Sequence, residues 1–211
     1  AGDLAGVQST VGGQVHADAA SYLLRQGAMI DQAAAPFTSG TDLKVGQYRL
    51  WSTALAGYLG TDGSSQAMSS NEHSQGLMVG LTQRFSEQLS AHAGVGYSKG
   101  SVGGAGGEAD TDLSFFSMGA RFAIDGLERG LFVDADASAG YVLGTAKGES
   151  HGNLTGATLA LGYRVPVSGV TLEPSLGIRV SKLNLSGFQE KGSELALDVD
   201  SIHEIRRSAV A

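Results

Sequence analysis

From Tyr48 onward the chain alternates large apolar residues with small or polar ones, and the alternation is sustained for about 9 to 11 residues at a time. A period of two puts successive side chains on opposite faces of an extended strand. In residues 131–141, LFVDADASAGY, one face carries Leu131, Val133, Ala135, Ala137, Ala139 and Tyr141. The other carries Phe132, Asp134, Asp136, Ser138 and Gly140. The same division runs through QGLMVGLTQRF, LSAHAGVGYS, SFFSMGARFAI, TGATLALGYRV and TLEPSLGIRVS. With WSTALAGYL and ELALDVD this predicts roughly eight strands, separated by TDGSS, FSEQ, GGAGGEAD, DGLERG, KGESHG and PVSG. The strands recur about every 20 residues, longer than the spacing of a soluble sandwich.

The two faces decide where such a sheet belongs. A soluble sandwich turns a Lys-, Glu- and Thr-rich face to water and fills the other with large side chains. Here the polar face mixes Gly, Ser and Ala with isolated charges, and the apolar rows are long enough for a tilted strand to cross a bilayer. A spanning sheet must close, because an open edge in hydrocarbon leaves backbone groups unpaired. The expected fold is therefore all-β, a transmembrane antiparallel β-barrel whose apolar rows face lipid. Its lumen is expected to hold Arg84, His92, Arg121, Asp134, Asp136, Arg164, Glu173 and Arg179. Trp51, Tyr58, Tyr97, Tyr141 and Tyr163, near the ends of apolar rows, are expected to form the interfacial girdles.

The N-terminal part differs. Residues 15–35 are Ala-rich, lack alternation and space Tyr22, Leu23, Leu24 and Ile30 as a helix does, with Pro36 closing the run. The segments on either side read as linker, giving a division into 1–47, linker and helix, and 48–211, barrel.

The ordered set YRLWSTALAGYLGTDGSS, GLMVGLTQRF, HAGVGYSKGS, FFSMGARF, GLFVDADASAGY, LALGYRVPVSG and LEPSLGIRVSKLNLSGFQEKGSELAL resembles the translocator domain of autotransporters, the type V secretion proteins of Gram-negative bacteria. The resemblance covers nearly all of the chain. It implies a twelve-stranded barrel in the outer membrane, plugged by the helix, and a passenger domain upstream that is exported to the cell surface. It also implies as partners outer-membrane lipid, the barrel-assembly machinery and the chain's own passenger in cis. The roughly eight readable strands and the RRSAVA end, which lacks a terminal aromatic, give the expectation of a fragment short of about four strands. Some members cut the plug helix through an Asn; residues 8–35 contain none, so no cleavage by that route is expected.

Other chemistry is weakly signalled. Gly148 to Gly152 reads G-x-S-x-G, but lies in an expected turn between two strands instead of between a strand and a helix. Gly94, Gly96 and Gly100 miss the dinucleotide-binding spacing. Glu108, Asp110 and Asp112 lack the glycine and final glutamate of a calcium loop, and the His residues are scattered. No catalytic residue, cofactor or metal is expected. A net charge of −7 with no run of basic residues argues against nucleic acid. Arg84, Arg121, Arg164 and Arg179 share one face, so they either hold the helix, with Asp18 and Asp31 as counter-ions, or line a hydrated lumen. The rival reading of the whole is a standalone outer-membrane barrel acting as an adhesin or structural protein.

Overall fold

A computed structural model describes residues 2–61, 70–104, 107–146, 148–167, 169–189, 198–199 and 201–210, and the side chains of residues 19–60, 71–103, 108–144, 150–167, 169–187 and 201–210. One helix, α1 (Gly2–Thr38), precedes strands β1 (Tyr48–Thr61), β2 (Ser70–Arg84), β3 (Leu89–Gly104), β4 (Gly107–Ala123), β5 (Gly130–Ala146) and β6 (Gly148–Val167). Then come β7 (Val170–Leu172), β8 (Ser175–Leu185), β9 (Phe188–Gln189), β10 (Asp198–Val199) and β11 (Ile202–Val210). Eight of the strands follow one another antiparallel in the order β1-β2-β3-β4-β5-β6-β8-β11, with β7 paired to β6, and β9 pairs with β10 apart from them. The sheet curls around α1, which touches β1, β2, β3, β4, β6, β8 and β11. Its edges, β1 and β11, do not pair with each other among the described residues.

Four boundaries differ from the sequence-based expectation. The helix starts at Gly2 and runs through Pro36 to Thr38. A proline this close to the C-terminus removes one intrahelical bond and leaves too few residues beyond it to force a break. The expected strand ELALDVD falls largely outside the described residues, at 194–197 and 200, with 198–199 forming β10, and the eighth strand along the sheet is a later one. That strand is β11, whose sequence IHEIRRSAV alternates too poorly to be read. TLEPSLGIRVS is split at Glu173–Pro174, where proline has no N–H for the ladder, although the Pro174 carbonyl still accepts from Tyr163 N at 3.0 Å. Finally, the expected turns at 103–110 and 147–152 are, among the described residues, strand, so Glu108, Asp110 and Asp112 stand on alternate outward positions of β4. Successive positions on one strand face are nearly 7 Å apart, so these carboxylates do not converge on a cation.

The outward rows are apolar and exposed: Leu77, Val79 and Leu81 on β2, Val95 and Tyr97 on β3, Phe116, Met118 and Phe122 on β4, Leu159, Leu161 and Tyr163 on β6. The β5 row from Leu131 to Tyr141 spans ten residue steps, about 33 Å along the strand and about 25 Å after the tilt usual in barrels. That equals the height of a lipid-facing band. Tyr97 and Tyr141 lie at one level, both in register with Ser114, and Tyr163 lies at the other end opposite Leu131. Tyr58 is also outward and exposed. Trp51 is the exception to the expected girdle. It belongs to the inward row of β1, is 7% exposed, stacks on Phe37 of α1 at 5.3 Å, and donates from Nε1 to Thr82 Oγ1 at 3.0 Å. Its ring covers Gly80 and reaches Gly94, so the absence of side chains at those positions gives it room on the inner face.

The inner face is graded along its height. Toward the end bearing the hairpin connections 62–69 and 105–106, Leu55, Met78, Leu113, Phe115, Val142, Leu154 and Leu183 close on Tyr22, Leu23, Leu24 and Ile30 of α1, forming an apolar core. Full burial of each such side chain contributes about 1.5–3 kcal/mol. Toward the end with the short turns 85–88 and 124–129 the inner face is charged. The chain leaves α1 at that end through Gly40 (φ 61°), where an added Cβ would lie 2.8 Å from Ser90 Cβ.

Candidate functional site

The strand register assembles the inner face into level rows. One row reads Arg49, Thr82, His92, Gly119, Asp136, Thr158, Arg179 and Ser208 across successive strands from β1 to β11. The row nearer the turns reads Arg84, Ser90, Arg121, Asp134, Ala160, Gly177 and Val210. The row on the other side is almost all small: Gly80, Gly94, Ser117, Ser138, Gly156 and Ser181 between Trp51 and Arg206. Period-two strands in fixed register thus concentrate charge at two levels and clear space for the helix at the third.

Two ion pairs of opposite polarity join helix to wall. Arg179 on β8 pairs through Nη1 with Asp31 on α1, and its side chain is 4% exposed. It also donates to Ser181 Oγ at 3.0 Å and to Thr158 Oγ1 at 3.3 Å, while Thr158 donates to Asp31 at 3.1 Å. Its guanidinium lies between two glycines: an added Cβ on Gly27 of α1 would be 3.0 Å from Nη2, and one on Gly156 of β6 would be 2.6 Å away. The second pair reverses the signs, with Arg25 of α1 forked onto Glu72 of β2, whose side chain is 8% exposed. Neither Arg25 nor Glu72 is singled out by the sequence. Arg25 sits in a helix with no charge pattern, and Glu72 lies outside the apolar run from which its strand is recognised. The Asp18 side chain lies outside the described residues.

The remaining arginines bind the wall to itself. Arg121 forks onto Asp134 at 2.7 and 2.8 Å, reaches both oxygens of Glu173 at 3.2 Å, and lies 3.9 Å above the Phe132 ring. Arg164 pairs with the same Glu173, held in the break between β7 and β8. Arg84, 3% exposed, donates to the carbonyls of Leu43 and Ser86 at 2.9 and 3.2 Å and pairs with Glu87 and Glu128, fixing the segment after α1 to the short turns. Of the four arginines considered together in the sequence, Arg179 alone makes an ion pair with α1 among the described residues.

His92 and Asp136 face each other across Gly119, with Nε2 3.4 Å from Oδ1. A Cβ at position 119 would collide with both, so the glycine is what lets them approach. They border a cavity of about 340 Å³ between the C-terminal part of α1 and the wall, lined also by Asp31, Ser117, Arg121, Asp134, Thr158 and Arg179. No group of three or more metal-ligating side chains is assembled among the described residues. Ser150 and His151 of the G-x-S-x-G segment lie in β6 and point to opposite faces; His151 Nδ1 is 3.2 Å from Ser186 Oγ on the exposed side.

An inner face charged at one end, a helix ion-paired within it and an apolar outer band define a membrane-embedded β-domain with an internal helix. The profile of the family described as "Autotransporter beta-domain" matches residues 50–208, so the chain belongs to that family and is an outer-membrane translocator domain of a Gram-negative bacterium. Among solved structures it is similar to the translocator domain of autotransporter NalP from Neisseria meningitidis, with 20% identity, a TM-score of 0.64, and coverage of 92% of this chain and 70% of that one. At that identity the likeness concerns the fold. No curated protein sequence matches the chain.

Proposed function

We propose that the domain anchors an autotransporter in the outer membrane and mediates export of the passenger that precedes it, with α1 as the last segment to occupy the interior. The carrying observation is the pair of ion bridges of opposite sign, Arg25–Glu72 and Asp31–Arg179, which hold one helix within the curl of the sheet. Reversed polarity makes the seating specific: turning the helix about its axis or sliding it brings like charges together or leaves a buried charge alone. α1 runs from the end bearing the connections 62–69 and 105–106 toward the turns 85–88 and 124–129, so the chain before it emerges at the former end. The proposed lumen-facing set is Arg84, His92, Arg121, Asp134, Asp136, Arg164, Glu173 and Arg179. Tyr58, Tyr97, Tyr141 and Tyr163 are proposed as interfacial aromatics. The proposed partners are outer-membrane lipid, the barrel-assembly machinery and the passenger in cis, and no catalytic role is assigned.

The test places a small folded reporter ahead of the domain in its natural gene and treats intact Gram-negative cells with external protease. Cleavage of the reporter while a periplasmic control survives is the expected result. A protected reporter, with the domain folded in the outer membrane, would favour a standalone barrel.

A further inference from the structure

We propose that Asp136 is a reserve counter-ion for Arg179, taking over the guanidinium whenever Asp31 is absent from the interior. This deepens the reading of α1 as a segment that occupies the interior in the course of export. The argument starts from an imbalance among the carboxylates that border the inner cavity. Asp134 is saturated by the Arg121 fork, and Asp31 is paired with Arg179. Asp136 faces His92 at 3.4 Å and makes no arginine or lysine bridge among the described residues. Its side chain is 26% exposed and opens onto the same cavity as Arg179.

Register places the two groups within reach. Asp136, Thr158 and Arg179 occupy one level on the adjacent strands β5, β6 and β8. The Arg179 Nη1 atom already touches Thr158 Oγ1, directly opposite Asp136 on the ladder. The swing from Asp31 to Asp136 is therefore on the order of one strand spacing, about 4.8 Å. The cavity of about 340 Å³ supplies the space. Gly27 of α1 closes over the guanidinium now, so departure of the helix removes the lid together with the counter-ion. Without a substitute, the guanidinium would face the emptied interior with only the Thr158 and Ser181 hydroxyls beside it and no counter-ion, and would be an uncompensated buried charge wherever α1 is seated without Asp31. Thr158 would stay bonded to Arg179 in both arrangements, which makes it the pivot.

A double-mutant cycle in the full chain, refolded in detergent and read by the temperature at which its fast-migrating folded band is lost on electrophoresis, tests the exchange. Asp31→Asn leaves Asp136 to compensate and Asp136→Asn leaves Asp31 in place, so each alone is expected to shift the midpoint little. Together they should lower it by at least about 5 °C more than the sum of the single shifts. In an Arg179→Gln background the excess should vanish. If the double variant does not fold while both single variants do, restoration by Arg179→Gln supports the exchange, and failure to restore overturns it. Additive shifts, or a large loss from Asp136→Asn alone, would also overturn it, the latter by assigning Asp136 to a fixed role beside His92. Because the readout is stability and not export, the exchange and the translocator reading can fail separately.

Discussion

At the scale of residues, the inner face depends on a few side chains whose partners are set across strands. Arg121 satisfies two carboxylates and covers an aromatic ring while only 10% of its side chain is exposed. Replacing it with Gln strands Asp134 beside Asp136, and we expect a loss of about 3–5 kcal/mol in urea unfolding. Substituting the exposed Lys99, paired with Asp112 at 3.7 Å, should change stability by less than about 1 kcal/mol in the same assay. Trp51 is the single tryptophan of the chain, so its fluorescence reports one place. Phe37→Ala removes the ring stacked on it and is expected to shift its emission to the red; an unchanged spectrum would mean that the helix end does not cover it.

Among the elements, the strands differ in how openly their sequence announces them. The strands β2 to β6 alternate cleanly because each turns an exposed apolar row outward and the opposite row toward the helix or the charged inner face. β11 does not, because its outward row of His203, Ile205, Arg207 and Ala209 carries a histidine and an arginine beside a polar inward row of Glu204, Arg206 and Ser208. The inward leucines, methionine and phenylalanine of the hairpin end were not legible either. Apolar residues on both faces of a strand end look like noise in the alternation until a helix is known to cover one of them. The level of a residue on its strand also sets its sensitivity. Leu159→Arg, within the outer band, should cost about 2–4 kcal/mol on folding into bilayers, whereas Asp112→Arg, beyond the Tyr97 level, should cost about 0–1 kcal/mol. Equal costs would displace the band from where the tyrosines put it.

At the scale of the whole molecule, the apolar band of about 25 Å is shorter than an average hydrocarbon core. Folding yield in lipid vesicles is therefore expected to be highest in bilayers with short acyl chains and to fall as the chains lengthen. Mismatch costs a fraction of a kcal/mol for each ångström. A yield independent of chain length would contradict this band height.

Period-two alternation by itself determined the all-β fold and the division of each strand into two faces, which sets Tyr97 opposite His92, Tyr141 opposite Asp134 and Asp136, and Tyr163 opposite Arg164, because the face a side chain takes in a strand follows from position parity alone. It did not determine that Trp51 stacks on Phe37, that Glu72 meets Arg25, or that Arg179 is the arginine that meets the helix. Those facts depend on strand register and on the depth and rotation of α1. They are set by which distant residues fall on one level, and only the curled sheet with its helix seated brings them together.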